Sequence, residues 1–173
     1  ARFAGENAAL DISGAFLMRG GQHLDTTLLV EHRVPHCTSR ELFKVFRETS
    51  PVVEGLSLEE AFLDVSGLGH ILGSPRQIAE RLRRECRERV GLAVTVGAAT
   101  SKIVAKMASR DAKPDGLLVI EPGRERQFLH PIPVEELWGV GKGTTPKLYG
   151  QGITTVGALA RRSVAELTSI LGP

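Results

Sequence analysis

PRQIAERLRRECRERVGLAVTVGAATSKIVAKMASRDAKPDGLLVI, residues 75–120, decides the fold. Its first third predicts an amphipathic helix over Pro75–Val90. Ile78, Leu82, Cys86 and Val90 recur at strict i,i+4 spacing, which stacks them on one face. The opposite face alternates arginines with Glu80, Glu85 and Glu88 and reads as a solvated surface. Gly91 supplies the helix stop. The small and branched residues of LAVTVGA at 92–98 predict a buried strand. Ser101 is placed to cap a second helix, SKIVAKMASRDAK, packing through Val104, Met107 and Ala108. Pro114-Asp115-Gly116 turns the chain into a strand over 117–120. Helix, strand, helix, strand in this order predicts a layered α+β or α/β domain with helices on one sheet face. Pattern alone leaves a mixed and an antiparallel sheet both open.

Upstream, VVEGLSLEEAFLDV at 52–65 alternates as strands do: Ala61, Leu63 and Val65 point one way, Glu60, Phe62 and Asp64 the other. SRELFKVFRE at 39–48 predicts a helix with Ser39 as N-cap and Leu42, Phe43 and Phe46 inward. Residues 1–35 predict a short helix around Ser13-Gly14 and a short strand at Leu28-Leu29-Val30. From Pro131 onward short helical pieces are joined by glycines, so a domain boundary is expected near 121–130.

The 173 residues hold 22 Lys and Arg against 20 Asp and Glu, a net charge of +2, which neither demands nor excludes nucleic acid. No apolar run approaches the roughly 20 residues of a bilayer-spanning helix, so no membrane partner is expected. Nineteen glycines predict many tight turns. Cys37 and Cys86 lack metal-ligand spacing; a reducing compartment suits them, with a disulfide as the other option.

Three groups of residues carry candidate chemistry. Glu59, Glu60 and Asp64 cluster near a strand end, where carboxylates suit Mg²⁺, a hard cation that prefers oxygen ligands; an exposed strand end explains them equally. Lys113, just before Pro114, follows Lys102, Lys106 and Arg110, and its ammonium suits a phosphate. Leu137-Trp138-Gly139-Val140-Gly141-Lys142, running into TTPKLYGQGI, resembles a helix-hairpin-helix. Its glycines let backbone N–H groups face a phosphodiester, and Lys142 adds charge. A ligand-free helical turn is the alternative. A mononucleotide P-loop is excluded, because GxxxxGK followed by Ser or Thr is absent.

In combination these segments resemble a Y-family, translesion DNA polymerase of the bacterial DNA polymerase IV type. SLEEAFLDV at 57–65 is similar to the family's palm motif S-I/L-D-E-A-Y/F-L-D-V. VGAATSKIVAKMASRDAKPDGLLVI at 96–120 is similar to its G-x-x-x-N/S-K-x-x-A-K-x-A-S-x-x-A-K-P-x-G signature. PVEELWGVGKGTTPKLYGQGITTVGALA at 133–160 resembles its thumb hairpin, and ARFAGENAALDISGA at 1–15 a diverged continuation of its fingers. The resemblance implies an α+β polymerase palm at 51–125, a partial fingers segment at 1–50 and the start of a thumb at 126–173.

It also implies roles. Glu60 matches the glutamate that helps organise catalytic metal. Glu59 stands where the family has a metal-binding aspartate. Its extra methylene moves the carboxylate by more than about 1 Å, a large shift for Mg²⁺ with ligands at about 2.0–2.1 Å. Arg2 and Lys113 match the two cations on the incoming triphosphate, and Gly139, Val140 and Gly141 the hairpin on duplex backbone. The family's first strand, with another metal-binding aspartate and a steric gate, has no counterpart in the sequence. The expected reading is a piece of an error-prone polymerase, inactive alone, whose parent adds dNTPs to primed template DNA with two Mg²⁺ ions. The resemblance further implies a sliding-clamp partner bound through absent C-terminal regions, and a cytoplasmic, nucleoid-associated setting. Two alternatives stand beside it: a non-catalytic pseudo-polymerase scaffold, motivated by Glu59, and a standalone helix-hairpin-helix DNA-binding module.

Overall fold

The computed structural model describes residues 11–13, 23–28, 37–57 and 60–172. Two compact units divide after Pro122. The first opens with β1 (Asp11–Ser13) and β2 (His23–Leu28), then α1 (Cys37–Thr49), β3 (Val52–Gly55) and β4 (Glu60–Asp64). A single turn of helix, α2 (Gly69–Leu72), leads to α3 (Pro75–Val90), β5 (Ala93–Ala99), α4 (Lys102–Asp111) and β6 (Leu117–Val119).

The six strands form one mixed sheet in the order β3-β4-β2-β1-β5-β6. β3, β4 and β2 pair antiparallel, whereas β5 runs parallel to β1 and β6. β1 is short, so beyond it β2 pairs directly with β5, His23 opposite Ala99. The helix expected around Ser13-Gly14 is therefore not what Asp11–Ser13 forms. Those residues enter a ladder on both sides, and a short isolated helix has too few hydrogen bonds to compete. The strand expected at Leu28–Val30 begins earlier, at His23; Leu29 and Val30 lie outside the described residues.

Helix α3 forms over the span its periodicity dictates. Ser74 and Gln77 close a capping box, Pro75 sits in the first turn, and Gly91 ends the helix at φ 73°. Ile78, Leu82 and Cys86 are buried, and α3 packs on α1 through a core that includes Leu42, Val45 and Phe46. α1 starts at Cys37, so Ser39 is inside the helix and not its cap. Phe43 lies at the edge of that core, its ring meeting Phe46 edge-on at 5.4 Å. Ser101 holds the N-cap position of α4 with extended backbone, but its hydroxyl makes no capping bond.

The α+β arrangement on a mixed sheet is as expected. Every residue of β5 from Val94 to Ala99 is buried, so both faces of this strand are covered. α3 and α4 both pack against it. α4 lies over the side of β4 that carries Glu60 and Phe62, since Lys106 and Lys102 reach those two residues. Among the described residues no helix is long and apolar enough to cross a membrane.

The second unit holds α5 (Glu125–Leu129), a 3₁₀ turn (Val134–Glu136), α6 (Thr145–Tyr149), α7 (Val156–Ala160) and α8 (Val164–Leu171). Val134, Leu148 and Ile153 are its fully buried centre. The backbone at 130–134 pairs with 154–157: Val134 N–H donates to Thr154 O, Val156 N–H to Ile132 O, and Gly157 N–H to His130 O.

Candidate nucleotide and nucleic-acid site

The acidic segment of β4 is fixed by its ladder with β3, which sets Glu54 opposite Phe62 and Val52 opposite Asp64. Ser50 locks the entry: its buried hydroxyl donates to the Asp64 carbonyl, lies 3.0 Å from the Val52 carbonyl and accepts from Val52 N–H. The Asp64 carboxylate folds back onto Ser66, accepting from its backbone N–H at 2.8 Å and its hydroxyl at 2.5 Å. Glu60, by alternation, faces α4. Its Oε1 lies 2.7 Å from Lys106 Nζ, with the two side chains only 20% and 15% exposed. One turn earlier on the same helix face, Lys102 pairs with Glu54 and sits 5.3 Å from the centre of the Phe62 ring. A partly desolvated pair such as Glu60–Lys106 is costly to break from one side, because the surviving charge stays buried.

Past its C-terminus α4 runs into Lys113, exposed, and a cis peptide to Pro114. Asp115 follows at φ 43°, the one non-glycine residue with positive φ among those described. Two arginines of α3 grip it: Arg83 Nη2 lies 2.9 Å from Oδ1 and 2.5 Å from the Asp115 carbonyl oxygen, and Arg87 pairs with Oδ2. Arg83 Nε also donates to Val94 O of β5 at 2.9 Å. The face of α3 expected to be plain solvated surface thus includes a clamp.

In the second unit the glycine-rich turn joins the 3₁₀ turn to α6. Val140 N–H donates to Leu137 O, and Val140 packs on the Val134–Leu148–Ile153 centre. Gly139, at φ 99°, makes the reversal. Gly141, Lys142 and Gly143 are exposed. Gly141 O accepts from the backbone N–H groups of Thr144 and Thr145 and from the Thr145 hydroxyl. Pro146 lies in the first turn of α6, as its missing N–H allows. Near the other end of α6, the Tyr149 hydroxyl donates to Glu135. That bond lowers the Glu135 carboxyl and raises the Tyr149 phenol from their usual ranges.

Of the eight residues singled out from the sequence, Glu60 and Lys113 are in the first unit, one facing α4 and the other past its C-terminus. Gly139, Val140, Gly141 and Lys142 form one turn in the second unit. Arg2 and Glu59 lie outside the described residues. Among the described residues no three His, Cys, Asp or Glu side chains gather as a metal site. Glu60 is occupied by an ammonium and Asp64 by Ser66, so these two carboxylates do not by themselves fit a divalent cation.

Sequence reasoning noted Lys106 and Glu60 but not their pairing, and missed Arg83, Arg87 and Asp115 as a unit. The Lys102/Lys106 spacing of four was the available signal for the first. No local signal exists for the second, since 28 and 32 residues separate the partners.

Known proteins resemble the chain along most of its length. The model of the impB/mucB/samB family matches residues 29–110. A DNA polymerase IV 2 from Mesorhizobium japonicum is 48% identical over 130 residues, covering 75% of this chain and 31% of the relative. A DNA polymerase IV from Pseudomonas paraeruginosa is 38% identical over 170 residues, covering 96% of this chain and 49% of the relative. A model of the SufBD core domain of the SUF FeS cluster assembly system also matches residues 1–51. The Pseudomonas similarity runs through nearly all of that segment and on to the rest of the chain. Among solved structures, an insertion ternary complex of Dbh DNA polymerase aligns with a TM-score of 0.70 at 29% identity, covering 78% of this chain and 40% of that one. A DinB family error-prone DNA polymerase from Sulfolobus solfataricus aligns at 0.68 and 29%, over 77% and 40%. The chain spans between about a third and a half of the length of these relatives. Motifs, relatives and fold agree, and residues 29–110 are an impB/mucB/samB, Y-family domain like that of the DNA polymerase IV relatives.

Proposed function

We propose that the chain forms the palm and the opening of the thumb of a translesion DNA polymerase, which extends a primed template with dNTPs. The observation that carries this reading is the likeness, at 29% identity and a TM-score of 0.70, to a polymerase captured in an insertion ternary complex. β3–β6 with α3 and α4 are the palm in this reading; β1, β2 and α1, expected as part of a fingers segment at 1–50, join the palm's sheet and core instead, and the unit from Gly123 begins the thumb. Polymerases of this family use divalent metal ions. Mg²⁺ is the ion assigned to Glu59 and to the Glu60 oxygen that Lys106 does not take, and a further carboxylate must join them. Bound there, it would supply Lewis-acid stabilisation of the phosphoryl group.

The chain's own residues have separable tasks. Lys106 holds the Glu60 carboxylate in place. Arg2 and Lys113 balance the triphosphate charge, and the Gly139–Lys142 turn holds duplex backbone without reading sequence. A sliding clamp is the partner assigned to the rest of the polymerase.

The test is a graft. The 130-residue stretch that matches the Mesorhizobium relative replaces its counterpart there, and primer extension is measured with Mg²⁺ and with Mn²⁺. Extension is expected, with loss in Glu60→Ala and a gain in Glu59→Asp under Mg²⁺. A folded graft that binds primed DNA but extends nothing with either ion, even as Glu59→Asp, sinks the catalytic reading.

A further inference from the structure

The Arg83–Asp115 clamp has no part in the roles assigned above, yet it joins a helix, a strand and a turn of the first unit. One guanidinium reaches three acceptors on two segments: Val94 O on β5, and both the carbonyl and Oδ1 of Asp115. Arg87, one helical turn along, takes the second carboxylate oxygen. Asp115 is held at φ 43°, a conformation that a non-glycine residue keeps only when its surroundings over-determine it. Next to it, Gly116 is pressed so close to the carbonyl of Ala112 that a Cβ would lie 2.0 Å from that oxygen. The chain is thus pinned on three sides, to α3, to β5 and to the last turn of α4, two residues after Lys113.

We propose that Arg83 and Asp115 are positioning residues for Lys113, fixing where its ammonium meets the triphosphate of an incoming nucleotide. This rests on the reading of Lys113 as a triphosphate-binding cation. The physical reason is entropic. A lysine on a free loop loses backbone as well as side-chain freedom when it pairs with a phosphate. Lys113 is tied to a turn already fixed against the sheet and loses only side-chain freedom. α4 links this turn to the helix face that holds Glu60, so the clamp also fixes the span between the carboxylate and the backbone that carries the cation. Arg is the residue suited to this task, since its planar fork can serve several acceptors at once where a lysine cannot.

The experiment measures binding of dCTP and of inorganic tripolyphosphate to the whole chain by calorimetry, with each variant well below its own unfolding temperature. Lys113→Ala is expected to weaken binding of both by about tenfold, the worth of a charge-assisted hydrogen bond. Asp115→Ala is expected to weaken it by a few-fold. Asp115→Asn, which keeps an acceptor oxygen and tolerates positive φ, recovers part of that loss. In the Lys113→Ala/Asp115→Ala double variant the loss should equal that of Lys113→Ala alone, because Asp115 acts through the lysine. If Asp115→Ala and Arg83→Met lower the melting temperature but leave the affinity unchanged, the clamp is only structural and the proposal falls, while the role of Lys113 stands. If Lys113→Ala itself leaves binding unchanged, the triphosphate reading falls and takes the positioning role with it. Should Arg83→Met fail to fold, the Asp115 variants still decide the question.

Discussion

A methyl group added at Gly116 would point straight at a backbone oxygen that has nowhere to go, since Ala112 is bonded into the end of α4. Gly116→Ala is therefore expected to cost about 3 kcal/mol, at the upper end of ordinary point substitutions, read as a lower urea midpoint with an unchanged slope. The glycine-rich turn of the second unit behaves differently: nothing lies within 4 Å of a Cβ at Gly141, so a substitution there should leave stability nearly untouched. Cys86 makes a second residue-scale case. Burial pushes its thiol from 9.0 up to about 12. The folded protein keeps the proton while the unfolded chain releases it, so stability falls as pH rises from about 9 toward 12 and is unaffected below. Replacing Cys86 with Ala should flatten that part of the pH–stability curve relative to wild type. At pH 8 a thiol reagent should label Cys86 only as fast as the protein opens.

Among the elements, α3 shows how far a pattern reaches. Its start, its end and its buried stripe all follow from Ser74, Pro75, Gly91 and the i,i+4 series. Its outer face does not, because Arg83 and Arg87 find Asp115 only once β5 and β6 lie side by side. β4 repeats the lesson. The inward course of Ala61 and Leu63 is plain from alternation. That Glu60 faces an ammonium depends on α4 crossing above it. β1 marks the opposite limit: three residues expected to belong to a short helix form a strand because two ladders are available to them, and such long-range pairing overrides local propensity. Truncating the stripe at Leu82, which is fully buried, should cost about 2–5 kcal/mol.

The whole molecule offers a direct check on its division. The single tryptophan, Trp138, lies in the second unit, whose centre is Val134, Leu148 and Ile153. Its fluorescence reports on that unit, whereas the far-UV signal is dominated by the larger first one. Leu82→Ala should move the main far-UV transition and leave the Trp138 transition in place, and Leu148→Ala should do the reverse. Coincident shifts in both would mean the two units unfold as one body.

The sequence by itself determined the spans of α3, β5 and α4, the glycine stop of α3 and the family motifs, because periodicity, turn chemistry and motif spacing are written along the chain. Only the tertiary structure decided the strand order, the cover on both faces of β5, the partner of Glu60 and the clamp behind Lys113. Each of these joins residues remote in sequence, and such contacts have no signature until the sheet has brought them together.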